Sequence, residues 1–251
     1  MVSAIVLAGG SGSRMNSSTA KQYIELCGMP VVAHALKAFQ QSEVVDEIVL
    51  VTRLQDVEYA KKELVQRFGL TKVETIVVGG KERFDSVWQG ILAAGAECRD
   101  VVPSDLDGSE DGATQDIIMI HDGARPLVTP EMIRASVEAA QVHGACTVAV
   151  PVKDTIKVVK DGFGIDTPDR SGMYQVQTPQ TFKRDVIMSA HQAFRKDPRP
   201  GITDDTMLVE EYLKKQVYIV PGAYSNLKIT TPEDLVIAEA LLSKKGVPEG
   251  K

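Results

Sequence analysis

The chain has 251 residues, of which 43% are hydrophobic, and its formal net charge is −6. That length can bury a sizeable core, either as one large domain or as one domain with an appendage. The acidic balance argues against a general nucleic-acid or membrane-surface binder, which would carry a basic excess. Any anion site must therefore be a local cluster of cations.

The three cysteines, Cys27, Cys98 and Cys146, are far apart and form no CxxC motif. Such a set provides neither a disulfide framework nor a zinc site, and it predicts free thiols in a reducing compartment. The first residues, "MVSAIVLAGG", lack the basic start of a signal peptide, and no apolar run is long enough to span a bilayer. We therefore expect a soluble, cytoplasmic protein without membrane contact.

Short apolar runs alternate with amphipathic stretches along the chain. The runs are β-branched and bounded by turn residues, which predicts buried strands at 2–7, 47–51, 75–78, 116–120 and 147–152. Helical periodicity predicts helices near 30–41, 55–68, 83–97 and 130–143. Pro and Glu follow directly after both Thr129 and Thr231, and this pattern predicts that a helix begins at each of the two positions. This alternation predicts an α/β fold with a mostly parallel, doubly wound sheet.

Two segments depart from this alternation. Residues 100–116 contain six acidic residues and no basic one, which is typical of a solvated loop without chemistry. Residues 153–176 alternate apolar and polar residues around a turn at Gly162–Gly164, which predicts a β-hairpin. A hairpin that leaves a compact body either folds back on it or reaches another subunit.

A glycine-rich loop, "LAGGSGSRM", follows the first predicted strand. Glycine at 9, 10 and 12 lets backbone N–H groups approach a phosphate closely. The loop lacks the GxxxxGK[ST] pattern of a P-loop. It also fails as a dinucleotide fingerprint, because Met15 stands in place of the third glycine and Thr52 ends the second strand in place of an acid.

Two cations, Arg14 and Lys21, accompany this loop. Cations beside a phosphate cradle favour neutralisation of the charge that grows in a transition state. These residues alone leave two interpretations equally open, a catalytic pair or two surface cations on a loop.

Further polar clusters follow later strands. "GGKERFDSV" after the third strand puts a glycine turn ahead of a helix, where N–H groups can receive a base, ribose or phosphate. In "IHDGARP", Asp122 stands at the carboxyl end of a buried strand, where open α/β sheets bind ligands. A carboxylate beside a triphosphate is most simply a magnesium ligand. Arg125 is placed for an anionic substrate, and we assign His121 no catalytic role.

The remaining clusters flank the hairpin or precede helices. Thr155, Arg170 and Thr178 could bind a phosphate, arginine through its two-pronged guanidinium. Thr203 precedes two acids and is equally well explained as a helix N-cap. Lys228 stands just before the last predicted helix.

Taken together, these motifs resemble those of the 2-C-methyl-D-erythritol 4-phosphate cytidylyltransferases. The motifs occur in the same order and spacing from the first strand to the last helix: "LAGGSGSRM…KQY", "GGKERFDSV", "HDGARP", "PVKDTIK", "DR…QTPQTF", "TDD" and "NLKITTPEDL". The resemblance implies one Rossmann-like nucleotidyltransferase domain over 1–251 with a protruding β-arm at 153–176 that hooks around a second subunit. It also implies CTP, a polyol phosphate and Mg²⁺ as partners, in the non-mevalonate isoprenoid pathway.

The resemblance also implies a role for each matching residue. Arg14 and Lys21 would stabilise the pentavalent α-phosphate and the leaving pyrophosphate, while Arg170 and Lys228 would position the sugar phosphate. Asp122 would lie near magnesium. The residues that would hold CTP are Ala8, Gly9, Gly10, Gly12, Gly80, Lys81 and Ser86, and those that would bind the substrate are Asp122, Arg125, Thr155, Thr178 and Thr203.

The implied reaction is in-line attack of a substrate phosphate oxygen on the α-phosphorus of CTP. A phosphate monoester has its second pKa near ~6, so it needs no general base at neutral pH. Three alternatives remain at this point: a ribitol-5-phosphate cytidylyltransferase, a CTP-sensing module without turnover, and a nicotinamide-dependent oxidoreductase. Met15 and Thr52 already argue against the last.

Overall fold

The computed structural model of the protein describes residues 1–10, 20–95 and 115–245. Gly12, Arg14 and Cys98 lie outside these ranges, as does the predicted acidic loop at 100–116 except for its last two positions. The predictions made for those residues therefore stay predictions.

The body of the molecule is a seven-stranded sheet with the strand order β11-β7-β10-β6-β1-β4-β5. Two further pairs of short strands, β2 with β3 and β8 with β9, lie outside it. In chain order the strands are β1 (Val2–Leu7), β2 (Glu25–Leu26), β3 (Met29–Pro30), β4 (Glu47–Thr52), β5 (Val73–Val78), β6 (Ile117–Asp122), β7 (Ala145–Pro151), β8 (Val158–Lys160), β9 (Phe163–Asp166), β10 (Tyr174–Lys183) and β11 (Tyr218–Pro221).

Most pairs in the sheet are parallel, as predicted. β1 pairs in parallel with both β4 and β6. The pairs β4–β5 and β7–β11 are also parallel. Only β10 runs antiparallel, between β6 and β7. The all-buried pattern of β4 and the nearly all-buried pattern of β6 follow from burial on both faces, which is why these strands read as continuous apolar runs.

Helices cover both faces of the sheet. They are α1 (Val31–Gln41), α2 (Val57–Tyr59, continued as a π-helix over Ala60–Gln66), α3 (Arg83–Ala93), α4 (Pro130–His143), α5 (Arg184–Lys196), α6 (Asp205–Leu213) and α7 (Pro232–Lys245). Thr129 caps α4 as predicted, since its side chain accepts a hydrogen bond from the backbone N–H of Met132. Among the described residues, no helix is both long and apolar enough to cross a bilayer.

Two apolar layers cover the sheet, one on each side, and a smaller third cluster packs Leu26 and Val31 against Ala238 of α7. One layer joins Val6 and Leu50 to α1, α2 and α4. The other joins Ile5 and Val51 to α3, α5 and α6, because successive residues of a strand point to opposite faces. Both layers leave the carboxyl ends of the strands open, and those ends carry the polar motifs.

Several elements differ from the prediction. β2, β3, β10, α5 and β11 were not predicted, and α6 was indicated only by the possible N-cap at Thr203. The second helix is only partly α-helical, because residues 60–66 form wider π-helical turns. The N-cap of α6 is Asp204 and not Thr203, because the Asp204 carboxylate accepts a hydrogen bond from the N–H of Met207 at 2.9 Å.

The predicted hairpin is present as β8 and β9. Its tight turn is formed by Asp161 and Gly162, both with positive φ, while Gly164 lies within β9. Apolar side chains on it face solvent, most of all Phe163, which is 76% exposed. An isolated two-stranded ribbon is marginally stable in water, so this arm is expected to pack against something else.

Candidate active site

A cleft opens where the strand order of the sheet reverses. The chain runs from β1 outward to β4 and β5, and it then returns to β6 on the other side of β1. Open α/β sheets bind ligands at such a switch point, outside the carboxyl ends of the strands. Leu7 and Asp122, the last residues of β1 and β6, are register partners there. The cleft has a volume of about 400 Å³.

Most of the residues predicted to hold the nucleotide meet in this cleft. The predicted residues that line it are Gly9, Gly10, Lys21, Gly80, Lys81, Ser86, Asp122 and Lys228. It is also lined by Leu7, Gln22, Glu82, Arg83 and Ala124. Ala8 is buried and does not line the cleft, and its N–H and carbonyl are hydrogen-bonded to Val51 and Gln22.

One wall of the cleft is the glycine loop together with the turn that carries Lys21. The next residue, Gln22, is buried, and its amide donates hydrogen bonds to the carbonyls of Ala8 at 2.6 Å and of Gly10 at 3.1 Å. The Tyr23 hydroxyl lies 2.6 Å from that of Thr52, at the end of β4. These contacts fix the turn against the loop, so Lys21 is held at the cleft by its buried neighbours.

The opposite wall is the glycine turn before α3. Glu82 is the N-cap, and the Asp85 carboxylate accepts from its backbone N–H in a capping box. The Ser86 hydroxyl accepts from the N–H of Gly80 and donates to the carbonyl of Glu82, both at 3.1 Å. Gly80 has no room for a side chain, since an added Cβ would collide with the Cβ of Asp85.

We expect Gly80→Ala to lower the free energy of unfolding by about 1–3 kcal/mol, the usual cost of forcing an extra carbon into a packed site. It should also weaken CTP binding, because the turn must move away from α3. Urea unfolding and calorimetric titration with CTP would measure the two effects. Gly10→Ala is the stability control, since an added Cβ there meets nothing within 4 Å. Equal stability of the two variants would contradict the prediction.

Asp122 is the charged centre of the cleft. Its Oδ2 lies 2.8 Å from the Lys228 Nζ and 3.9 Å from the Arg125 Nε, and its Oδ1 lies 3.9 Å from the Arg83 Nε. Burial alone would raise the pKa of Asp122, but Lys228, Arg83 and Arg125 outweigh it and hold the pKa well below its usual range. Asp122 is therefore a carboxylate at neutral pH.

Thr178 and His121 fix the backbone beneath Asp122. The Thr178 hydroxyl accepts a hydrogen bond from the N–H of Asp122 at 3.1 Å and lies 3.0 Å from the His121 Nδ1. The His121 Nε2 lies 3.1 Å from the carbonyl of Arg125. Burial lowers the pKa of His121 to about 4, so the ring is neutral, and both of its nitrogens are occupied. His121 thus has a structural role, as expected, and Thr178 supports the site from below.

A second, smaller cleft of about 320 Å³ adjoins the first, and Lys228 lines both. Arg125 lies in its wall, held by hydrogen bonds from its guanidinium to the carbonyls of Asn226 at 2.8 Å and Val176 at 3.4 Å. Its other lining residues are Gln175, Gln177, Tyr224 and Leu227. This cleft offers two cations and several amide or hydroxyl groups, which suits a phosphorylated polyol.

Besides Ala8 and Thr178, three predicted residues within the described ranges line neither cleft. Thr155 and Arg170 are exposed at the base of the arm, where the Arg170 guanidinium donates to the carbonyl of Lys153. Thr203 is exposed ahead of α6, and its hydroxyl lies 3.2 Å from the Met207 sulfur. Their proposed roles in substrate binding stay predictions.

Sequence reasoning missed two charged groups of the site. Arg83 lines the nucleotide cleft, and its Nη1 lies 2.7 Å from the Asp205 Oδ2. Asp205 is fully buried. The two residues are far apart in sequence, and no local spacing reveals the pair. The one available signal was the acid doublet at 204–205, since only one acid can cap a helix.

Asp122 is also the predicted magnesium ligand. No group of three or more His, Cys, Asp or Glu side chains within residues 1–10, 20–95 and 115–245 could hold a metal ion. Magnesium usually takes only one or two protein carboxylates together with phosphate oxygens. Asp122, a single ionised carboxylate in the lining of the cleft, fits that requirement.

Solved structures share this fold over nearly the whole chain. A 4-diphosphocytidyl-2C-methyl-D-erythritol synthase from Anaerococcus prevotii superposes with a TM-score of 0.77 at 30% identity, covering 96% of each chain. A 2-C-methyl-D-erythritol 4-phosphate cytidylyltransferase from Thermus thermophilus gives 0.71 at 26% identity, covering 95% of this chain and 98% of its own. The fold and the cleft are those of an α/β nucleotidyltransferase.

Sequence comparison narrows the class. A model of the 2-C-methyl-D-erythritol 4-phosphate cytidylyltransferase family matches residues 2–244. Proteins of that name from Clostridium botulinum and Lachnospira eligens are 44% and 45% identical, over 97% and 96% of this chain and 100% and 99% of their own. The chain belongs to the 2-C-methyl-D-erythritol 4-phosphate cytidylyltransferase family. The ribitol-phosphate alternative is not favoured.

Proposed function

We propose that the protein transfers CMP from CTP to 2-C-methyl-D-erythritol 4-phosphate, giving 4-diphosphocytidyl-2-C-methyl-D-erythritol and pyrophosphate. The observation that carries the proposal is the pair of adjoining clefts with Lys228 in the wall of both. One cleft has the glycine turns that suit a triphosphate, and the other has the cations and amides that suit a phosphorylated polyol. The two reacting phosphates would meet at Lys228 and Asp122.

The reaction forms one bond and breaks one. A phosphate oxygen of the polyol phosphate attacks the α-phosphorus of CTP, and the bond from that phosphorus to the bridging oxygen of the β-phosphate breaks. Pyrophosphate leaves with the electron pair. The nucleophile is already ionised at neutral pH, so no protein base is required. The burial of His121 is consistent with a reaction that needs no protein base, because such a reaction does not require His121 to accept a proton.

Catalysis then depends on positioning and on neutralisation of charge. Lys21 would face the triphosphate from the glycine-loop wall, and Arg14 is proposed to act with it on the same phosphates. Lys228 and Arg125 would hold the polyol phosphate in line with the α-phosphorus. Asp122 would hold Mg²⁺ together with the phosphates, and the metal would supply positive charge to the triphosphate.

A homodimer is part of the proposal. The apolar arm residues Val159, Phe163 and Ile165 are exposed in the single chain, and a second subunit would cover them. Arg170 and Thr155 lie at the arm base and do not line either cleft of their own chain, so they would serve the partner's site. Light scattering should give twice the mass of the chain. A monomer that is active at low concentration would contradict this part of the proposal.

A cytoplasmic location is also part of the proposal. The free thiols of Cys27 and Cys146 suit a reducing, cytoplasmic environment.

Parallel assays test the function. The purified protein would be incubated with CTP, Mg²⁺ and either 2-C-methyl-D-erythritol 4-phosphate or ribitol 5-phosphate, and pyrophosphate release would be followed. We expect rapid release with the first acceptor, and little with the second or with CTP alone. Preference for ribitol 5-phosphate would make the protein a ribitol enzyme. CTP binding without pyrophosphate release in the presence of either acceptor would make the protein a CTP-sensing module.

A further inference from the structure

A buried carboxylate lies behind the cleft and has no place in the mechanism above. Asp205, in the first turn of α6, is fully buried, and its Oδ2 lies 2.7 Å from the Arg83 Nη1. Its other oxygen, Oδ1, lies 3.1 Å from the Nε2 of His191, which is also fully buried. Burying an ionised carboxylate is costly, so a partner of opposite charge close to it is required for it to persist.

Helix capping does not account for Asp205. The cap of α6 is Asp204, which accepts hydrogen bonds from the N–H of Met207 at 2.9 Å and from the hydroxyl of Thr206 at 2.8 Å. Gln180 of β10 holds both acids, since it accepts from the N–H of Asp205 and donates to the Asp204 carboxylate. The Asp205 carboxylate therefore faces inward, in contact with Arg83 of α3 and His191 of α5, while Gln180 of β10 holds the backbone N–H of Asp205.

Arg83 connects this buried carboxylate to the cleft. It is the first residue of α3, directly after the cap Glu82, and it lines the nucleotide cleft. Its Nη1 faces Asp205 while its Nε faces Asp122 at 3.9 Å. Burial alone would lower the pKa of Arg83, but Asp205 and Asp122 outweigh it and raise the pKa, so the guanidinium is permanently charged.

The charges alternate along this path. Asp205, Arg83, Asp122 and Lys228 follow one another from the buried interior into the cleft, so each carboxylate and each cation has a neighbour of opposite sign. An Arg83 that lost Asp205 would be free to turn fully onto Asp122 or onto the triphosphate. Either move would displace the carboxylate or the nucleotide from its position.

We propose that Asp205 is a positioning residue for CMP transfer. Asp205 holds the Arg83 guanidinium at the edge of the nucleotide cleft, where Arg83 orients Asp122 and does not move onto the triphosphate. The proposal rests on the proposed function for the meaning of the cleft. Asp205 touches no substrate and acts only through Arg83. A misplacement of about 1 Å in such a site costs up to about 100-fold in rate.

The test is a double-mutant cycle of Asp205→Asn, Arg83→Gln and the double variant. Asp205→Asn keeps the size of the side chain and a hydrogen-bond partner for His191, and removes only the charge. CTP binding with Mg²⁺ would be measured by calorimetry without any acceptor, and kcat and KM for CTP by pyrophosphate release. We expect each single variant to weaken CTP binding and to lower kcat/KM about 10-fold or more, and the double variant to be no worse than Arg83→Gln.

Two outcomes would overturn the proposal. If Asp205→Asn lowered only the melting temperature and left CTP binding, kcat and KM unchanged in the folded protein, Asp205 would be merely structural. If the losses of the single variants multiplied in the double variant, Asp205 would not act through Arg83. Asp205→Glu, which restores the charge, should recover part of the CTP affinity. This variant serves as the readout if Asp205→Asn fails to fold. A CTP affinity of Asp205→Glu no better than that of Arg83→Gln would count against the proposal.

The controls separate this proposal from the proposed function. Arg67→Gln removes another salt-bridged arginine, which follows the π-helix Ala60–Gln66 and pairs with Glu63 at 3.7 Å, and it should change neither binding nor turnover. CTP binding is measured without an acceptor, so it reports on Asp205 even if the acceptor is not the methylerythritol phosphate. Wild-type protein that binds CTP but releases no pyrophosphate with that acceptor would refute the function and leave the positioning role testable.

Discussion

Replacing Lys21 with alanine is expected to lower kcat for CMP transfer about 100- to 1000-fold, the cost of removing one preorganised charge at a developing anion. Lys21 lines the nucleotide cleft at the start of the short 3₁₀ turn Lys21–Tyr23. The turn is fixed by the hydrogen bonds of the buried Gln22 and Tyr23 side chains, so the protein should remain folded. Steady-state pyrophosphate release and circular dichroism would measure both effects.

The kinetic pattern distinguishes the catalytic role from simple binding. Charge that acts on the leaving pyrophosphate matters mainly in the transition state, so KM for CTP should change less than kcat. Lys62→Ala is the matched control, because Lys62 is an exposed helical lysine paired with Glu58 at 3.8 Å. Near-normal turnover in Lys21→Ala would refute the role given to Lys21. A large rise in KM for CTP with an unchanged kcat would show that Lys21 only binds the nucleotide.

The parallel strands β1, β4, β6 and β7 could be predicted from sequence because burial on both faces gives each a continuous apolar run. β11 also pairs in parallel, but it was missed because only Val220 of its four residues is buried. β10 lacks that signal. It carries Pro179 after a cis peptide bond, and its register against β7 shifts between Val176 and Gln180. Proline inside a run normally argues against a strand. α5 was missed because its N-cap, Lys183, makes no side-chain cap hydrogen bond, so the usual start signal is absent.

The site was predictable to the extent that strand ends determine it. Asp122 ends β6, and the glycine turns at Gly10 and Gly80 follow β1 and β5, so parallel pairing alone brings them to one edge. Lys228 reaches the same edge from the segment before α7, which required the resemblance to a family. The pairing of Arg83 with Asp205 joins helices on one sheet face, and no periodicity in the sequence indicates such a long-range contact.

The second large effect is expected at Lys228, since Lys228→Met should lower kcat/KM for the polyol phosphate about 100-fold. Losing a charge-assisted contact of this kind costs up to about 3 kcal/mol, and each 1.36 kcal/mol is about tenfold in rate. Lys228 lies between the two clefts, 2.8 Å from Asp122, so it can contact the incoming phosphate and also fix the carboxylate. Initial-rate assays with each substrate varied in turn would measure the loss.

The direction of the KM changes tests where Lys228 acts. Asp122 keeps two further cations, Arg83 and Arg125, each 3.9 Å away, so the nucleotide side of the site should be less disturbed than the acceptor side. We therefore expect KM for the polyol phosphate to rise more than KM for CTP. Lys214→Met, at an exposed lysine paired with Glu211, should change neither value. A rise confined to KM for CTP would instead place Lys228 with the nucleotide and would remove the link between the two clefts.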